Sequence, residues 1–81
     1  MKALEVSRNG VKLFTAGLEY GIVTAKFVLR NQVDPVWLNV DGRDQTTGGH
    51  QRWAHLAIAL GDEFTVRLVD CDAVDVDANR D

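Results

Sequence analysis

The chain has 81 residues, a formal net charge of −3 and one cysteine, Cys71. A chain of this length forms one domain with a small core, and a single cysteine excludes an intrachain disulfide. The negative charge, the scattered Lys and Arg residues and the lack of a run of about 20 apolar residues argue against nucleic-acid binders, anionic-membrane binders and membrane-spanning helices.

The first predicted element is a β-hairpin centred on the dipeptide Asn9-Gly10. Leu4 and Val6 alternate with polar residues before this dipeptide, and the alternation resumes over residues 11–16. Asn-Gly suits a two-residue type I′ turn because both turn positions need a positive φ. The pattern therefore predicts two antiparallel strands joined by a tight turn.

Two further strands are predicted in the middle of the chain. Apolar residues take every second position from Val23 to Leu29, which is typical of a half-buried strand. The single proline, Pro35, is predicted to set a turn over residues 31–35 because its ring fixes φ. The alternation then resumes over residues 36–41.

A long polar loop and a fifth strand are predicted next. Residues 42–51 contain three of the seven glycines and no apolar residue, which favours a loop. From residue 52 to residue 60, apolar residues again take every second position, which favours a strand. A short helix near residues 53–60 is the alternative, because alanine and leucine favour helix.

The last predicted strand follows a tight turn at Gly61-Asp62. Phe64, Val66 and Leu68 alternate with polar residues, and the pattern fades into acidic residues after Asp70. We therefore predict one β domain over residues 1–70 and an acidic C-terminal tail over residues 71–81. Six short strands predict an all-β fold, a small antiparallel β-sandwich or barrel.

Strict alternation also predicts an aromatic surface. The fourth and fifth predicted strands are neighbours in sequence and are expected to pair. Placing Leu38 and Leu56 on the core face then places Trp37 and Trp53 together on the other face, with His55 beside them. Such a surface offers contact area to a protein or a flat ligand. The alternative is that both tryptophans pack inward and complete the core.

The sequence predicts no enzyme, metal site or cofactor. His50 and His55 are five residues apart, and along a strand this separation places two side chains on opposite faces. The aspartates of the tail lack the glycine and the glutamate of a calcium loop. Cys71 lies among aspartates, whose negative charge disfavours a reactive thiolate.

The remaining features predict a small cytoplasmic protein-interaction module. It would be an inhibitor, immunity or anti-defence type protein acting on a basic partner. The alternatives are a small-ligand-binding β domain and a structural homo-oligomer that pairs its edge strands. The predicted contact residues are aromatic, loop and tail residues: Trp37, Trp53, His55, Arg43, His50, Arg52, Asp72, Asp75 and Asp77.

Overall fold

A computed structural model describes residues 1–75, which form six strands and no helix. The strands are β1 (Lys2–Arg8), β2 (Val11–Ala16), β3 (Gly21–Arg30), β4 (Val33–Asp44), β5 (His50–Ile58) and β6 (Phe64–Asp70). The all-β prediction is confirmed, and the region of the alternative helix near residues 53–60 is occupied by β5. No helix within residues 1–75 is long and apolar enough to cross a membrane.

The six strands form two antiparallel three-stranded sheets. The first sheet has the order β2-β1-β6 and the second has the order β3-β4-β5. Each contributes apolar side chains to one core, whose buried members are Val6, Phe14, Ala16, Leu38, Val40, Trp53 and Ala54. The arrangement is consistent with a small β-sandwich, and the sheets do not close into a barrel.

The predicted turn at Asn9-Gly10 is confirmed. Both residues have a positive φ, 50° at Asn9 and 82° at Gly10. The turn is also tied to the loop between β5 and β6. Asn9 donates its backbone N–H to the carbonyl oxygen of Glu63 at 2.7 Å, and its side-chain oxygen accepts the N–H of Glu63 at 2.9 Å.

The prediction that Pro35 sets a turn is wrong, because Pro35 lies inside β4. The turn is formed by residues 31 and 32. The ladder between β3 and β4 is irregular between Val28 and Arg30 of β3, and this irregularity falls opposite Pro35. A proline is tolerated at such a position because no regular ladder partner needs its missing N–H.

The loop predicted over residues 42–51 is shorter than expected. Strand β4 continues to Asp44 and β5 begins at His50, so residues 45–49 alone connect them. The Asp44 carboxylate accepts the backbone N–H groups of Thr46 and Thr47 at 2.8 and 3.2 Å and shapes this connection. Arg43 and His50 at the two strand ends are exposed cross-strand neighbours, and their polar character resembled that of a loop.

The predicted position of Trp53 beside Trp37 is also wrong. Val40 pairs with Ala54 and Asp41 pairs with Arg52, so Trp53 is the extra residue of a β-bulge. Trp53 and Ala54 are adjacent in sequence, yet each is only 1% exposed. The bulge breaks the strict alternation and turns the indole of Trp53 into the core.

The same bulge overturns the expectation that His50 and His55 lie on opposite faces. His50 pairs with Arg43, and His55 pairs with Asn39, across the ladder between β4 and β5. Arg43 and Asn39 are four residues apart in an unbroken part of β4 and therefore share a face. Both histidines consequently lie on the outer face of the second sheet.

Residues 71–75 pack against the body of the protein and close one side of it. Asp75 donates its N–H to the carbonyl oxygen of Thr15 at 2.9 Å, and its carboxylate accepts the N–H of Thr15 at 2.6 Å. The indole N–H of Trp53 donates to the carbonyl oxygen of Asp75 at 2.8 Å. This stretch therefore covers the edge strand β2 and links it to β5.

Candidate functional site

The side of the protein formed by β3 and β6 differs from the side that residues 71–75 cover. Strand β3 is an edge of the second sheet and β6 is an edge of the first. The rings of Phe27 and Phe64 meet edge to face with centroids 5.8 Å apart, which places the two edges next to each other. No strand within residues 1–75 pairs with the outer edge of either.

Large apolar side chains are exposed along this side. Phe27 and Leu29 of β3 are 52% and 63% exposed, and Val66 and Leu68 of β6 are 41% and 70% exposed. These four residues are called the open side below. Two unpaired edges with exposed apolar side chains are a site at which another strand can add.

A cleft of about 430 Å³ enters the protein between the two sheets at one end of the open side. Its apolar wall includes Leu4, Leu18, Val23 and Leu68. Val23 of β3 and Leu68 of β6 line this cleft from opposite sheets.

The outer face of the second sheet carries a second distinctive surface. Cross-strand neighbours there combine three cations, Lys26, Arg43 and Arg52, with one carboxylate, Asp41. Arg52 and Asp41 form an ion pair at 3.1 Å. We call this surface the cationic face, because its formal charge is +2 (three cations minus one carboxylate) on a chain of net charge −3.

An aromatic pair lies in the middle of the cationic face. The ring of His55 stacks on the indole of Trp37, with centroids 4.0 Å apart and planes inclined by 8°. Nδ1 of His55 lies 2.5 Å from the side-chain oxygen of Asn39. These contacts fix the orientation of the imidazole, which is exposed, whereas the indole is half-buried.

The structure brings five of the nine predicted contact residues together. Trp37, His55, Arg43, His50 and Arg52 lie on the cationic face. Trp53 lies in the core, and the carboxylate of Asp75 is used in the hydrogen bond to Thr15. Asp72 is exposed, and Asp77 lies outside the described residues.

Sequence reasoning missed the open side. The alternation assigned Phe27, Val66 and Leu68 to a core face. That orientation is retained in the structure, because Phe27 pairs with the buried Leu38 and Val66 pairs with the buried Val6. Their exposure comes from the position of β3 and β6 at sheet edges, which alternation within a strand does not report. The grouping of the cations was missed for the same reason, because it depends on strand order.

Asp62 is an ionisable residue with a structural role. No cluster of three or more His, Cys, Asp or Glu side chains suited to a metal ion occurs within residues 1–75. Asp62 accepts hydrogen bonds from the N–H of Ala59, the amide of Asn9 and the guanidinium of Arg8. These contacts lower the pKa of Asp62 to about 2, and they hold the loop between β5 and β6 against the first hairpin.

The chain was compared with protein-family models, curated proteins and solved structures. No protein-family model, curated protein or solved structure matches this chain.

Proposed function

We propose that the protein is a small protein-interaction module that binds a partner polypeptide at the open side. The observation that carries the proposal is the exposure of Phe27, Leu29, Val66 and Leu68 along β3 and β6. No strand within residues 1–75 pairs with the outer edges of these two strands. A partner segment in extended conformation would pair with an edge through backbone hydrogen bonds, and its alternate side chains would meet these apolar residues.

The opposite side of the protein shows how a segment docks on one of its edges. Asp75 exchanges two hydrogen bonds with Thr15 of the edge strand β2, at 2.9 and 2.6 Å. Val74 approaches Gly17 so closely that a Cβ at that glycine would lie 2.9 Å from it. Hydrogen bonds to the backbone of β2, one from a backbone N–H and one to a carboxylate, therefore combine with an apolar contact at this edge. The open side likewise offers backbone groups and apolar side chains.

A basic partner is one form of this proposal. Glu19 lines the cleft at one end of the open side and is exposed, whereas Asp70 at the end of β6 is paired with the N-terminal ammonium group at 3.1 Å. The Glu19 carboxylate would favour a partner with Lys or Arg beside its apolar segment, and the attraction would weaken as salt is added. An inhibitor or immunity type protein in the cytoplasm is the form of module that we propose.

The test is capture of the partner by variants that differ in one position. Leu68→Lys places a charge on the open side, whereas Val11→Lys places it on β2, where Val11 is 65% exposed. A partner captured from the native host by the wild type and by Val11→Lys, but lost with Leu68→Lys, supports the proposal. Equal capture by both variants contradicts it.

The cationic face favours a second candidate function, the binding of a small anionic ligand. A shallow depression of about 240 Å³ on this face is lined by Ile22, Thr24, Asp41, Gly42, Arg43 and His50. The Asp41 carboxylate in this lining is paired with Arg52 at 3.1 Å. Guanidinium, imidazole and hydroxyl groups are donors suited to a carboxylate or phosphate group. The stacked rings of Trp37 and His55 lie on the same face and would report on a bound ligand.

Tryptophan fluorescence tests this second candidate. A Trp53→Phe chain leaves Trp37 as the single fluorescent indole, so that a ligand on the cationic face changes one signal. Saturable quenching by inorganic phosphate or a carboxylate, abolished by Arg43→Ala but kept in Arg67→Ala on β6, supports an anion site. An unchanged signal over a panel of such anions contradicts it.

A further inference from the structure

We infer that the polypeptide bound at the open side is a second copy of this chain, joined through two equivalent β3–β6 pairings. This inference rests on the proposed function, since it names the occupant of the same surface. It begins from the fact that the open side has one edge from each sheet, β3 and β6, with which no further strand of residues 1–75 pairs. A single added strand would pair with only one of these edges, whereas a second copy would pair with both.

The two edges have the relative direction that such pairing needs. Phe27 meets Phe64 at the start of β6, and Val23 shares a cleft with Leu68 near its end. Strands β3 and β6 therefore run antiparallel to each other on facing sheets. A two-fold axis parallel to the strands would bring β6 beside β3 of the second copy within one sheet, in antiparallel orientation.

The same axis determines the register of the pairing. Rotation about an axis parallel to the strands does not change the height of a residue, that is, its position along that axis. Strand β6 therefore pairs with the same β3 residues of the second copy that it faces in its own chain. The ring contact between Phe27 and Phe64 sets that height, and the positions of Val23 and Leu68 on one cleft agree with it. The resulting inner pairs are Leu68 with Val23 and Val66 with Ala25. The outer pairs are Val69 with Ile22, Arg67 with Thr24 and Thr65 with Lys26.

The chemistry of these pairs is compatible throughout. Every inner pair and the pair of Val69 with Ile22 is apolar with apolar, and Ile22 is 55% exposed in the single chain. Arg67 and Lys26 each oppose a threonine, so no like charges lie directly opposite each other. Both sheets would continue from three strands to six, and the two open sides would form one shared core.

The salt dependence of binding distinguishes a second copy from a basic partner. Two chains of net charge −3 repel each other, and added salt screens that repulsion, so dimerisation should be unchanged or strengthened. Binding of a basic partner should weaken instead. Both forms of the interaction require the open side, so Leu68→Lys is expected to abolish either one.

Sedimentation equilibrium of the purified chain is the first test. The expected result is a concentration-dependent rise from the 9.0 kDa monomer to twice that mass, lost in Leu68→Lys and kept in Val11→Lys. Circular dichroism of each variant shows whether it is folded. A folded wild type that remains monomeric at every concentration and salt level overturns the inference, while capture of a different partner at Leu68 would still support the proposed function.

Disulfide trapping tests the register. In a Cys71→Ser background, Ala25→Cys and Val66→Cys are combined in one chain and oxidised with oxidised glutathione. The expected product is a covalent dimer, and a Val11→Cys/Val66→Cys chain serves as the control that should give none. A dimer by sedimentation that is not trapped by the first pair, or is trapped equally by the control, overturns the β3–β6 pairing.

Discussion

The indole of Trp53 and the backbone carbonyl of Asp75 are joined by a hydrogen bond of 2.8 Å. This contact links a bulge in β5 to the segment that follows β6, across the edge of β2. It explains how a tryptophan in an otherwise alternating strand is buried with its N–H satisfied. It also gives residues 71–75 a role in stability.

The contact between Trp53 and Asp75 predicts a coupling that can be measured. Trp53→Phe keeps most of the apolar surface and removes the hydrogen bond, so it should cost about 1 kcal/mol or slightly more. Trp53→Ala should cost about 3–5 kcal/mol because it empties the core. Urea unfolding of these variants, with and without residues 71–81, forms a double-mutant cycle. Equal costs of Trp53→Phe in both backgrounds would contradict the coupling.

Gly42 is predicted to be required by the packing of Trp53. A Cβ at Gly42 would lie 2.7 Å from Cζ3 and 2.9 Å from the Cη2 atom of Trp53. Because the indole is enclosed, Gly42→Ala should lower the free energy of unfolding by about 1–3 kcal/mol. Gly49→Ala is the control, because its Cβ would meet only the exposed hydroxyl of Thr47 at 3.2 Å. Equal thermal midpoints of both variants would count against this packing.

Asp62 predicts a specific acid sensitivity of the fold. Hydrogen bonds from Ala59, Asn9 and Arg8 lower its pKa from 3.8 to about 2. A carboxyl group whose pKa is lowered by folding stabilises the folded state at a pH above its pKa in the unfolded chain. This stabilisation is lost as the pH falls through its pKa in the folded state. Asp62→Asn should therefore be less stable than the wild type at neutral pH, and the difference should shrink between about pH 4 and pH 2.

Urea midpoints of the wild type and Asp62→Asn, measured from pH 7 to pH 2, check this prediction. Asp72 is exposed and makes no hydrogen bond to another residue of 1–75, so Asp72→Asn is the control and should follow the wild type. A constant difference between the wild type and Asp62→Asn across this range would show that the carboxylate charge is not what stabilises the loop.

Leu68→Lys is predicted to leave the isolated chain stable. Leu68 is 70% exposed, so the lysine side chain can reach water and the free energy of unfolding should change by no more than about 0.5 kcal/mol. Thermal unfolding at low protein concentration measures this. A large loss of stability there would mean that Leu68 contributes to folding, and its use as a probe of binding would be unsound.

The sequence was sufficient to predict the strands but not their neighbours. Period-two alternation located all six strands, and Asn9-Gly10 identified its turn, because both signals are local. The bulge at Trp53 was missed, although the adjacent apolar pair Trp53-Ala54 interrupts the alternation and is the signal that could have revealed it. That shift of one residue determined where Trp53 and His50 lie.

The candidate surfaces depended on information that no single strand contains. Phe27 and Leu68 have the pattern of core residues, and they are exposed because three-stranded sheets leave β3 and β6 as edges on the same side. Lys26, Arg43 and Arg52 are dispersed in sequence and become one face only through the order β3-β4-β5. The arrangement of the strands into two sheets therefore creates both surfaces.

Site-specific photo-crosslinking in cells of the native host tests the central claim most directly. A photoreactive amino acid replaces Leu68 on the open side in one chain and Val11 on β2 in another, at positions 70% and 65% exposed. A discrete crosslinked product at position 68, to a second copy or to another protein, with none at position 11, is the predicted result. No product at position 68, or the same product at both positions, would contradict the open side as the binding surface.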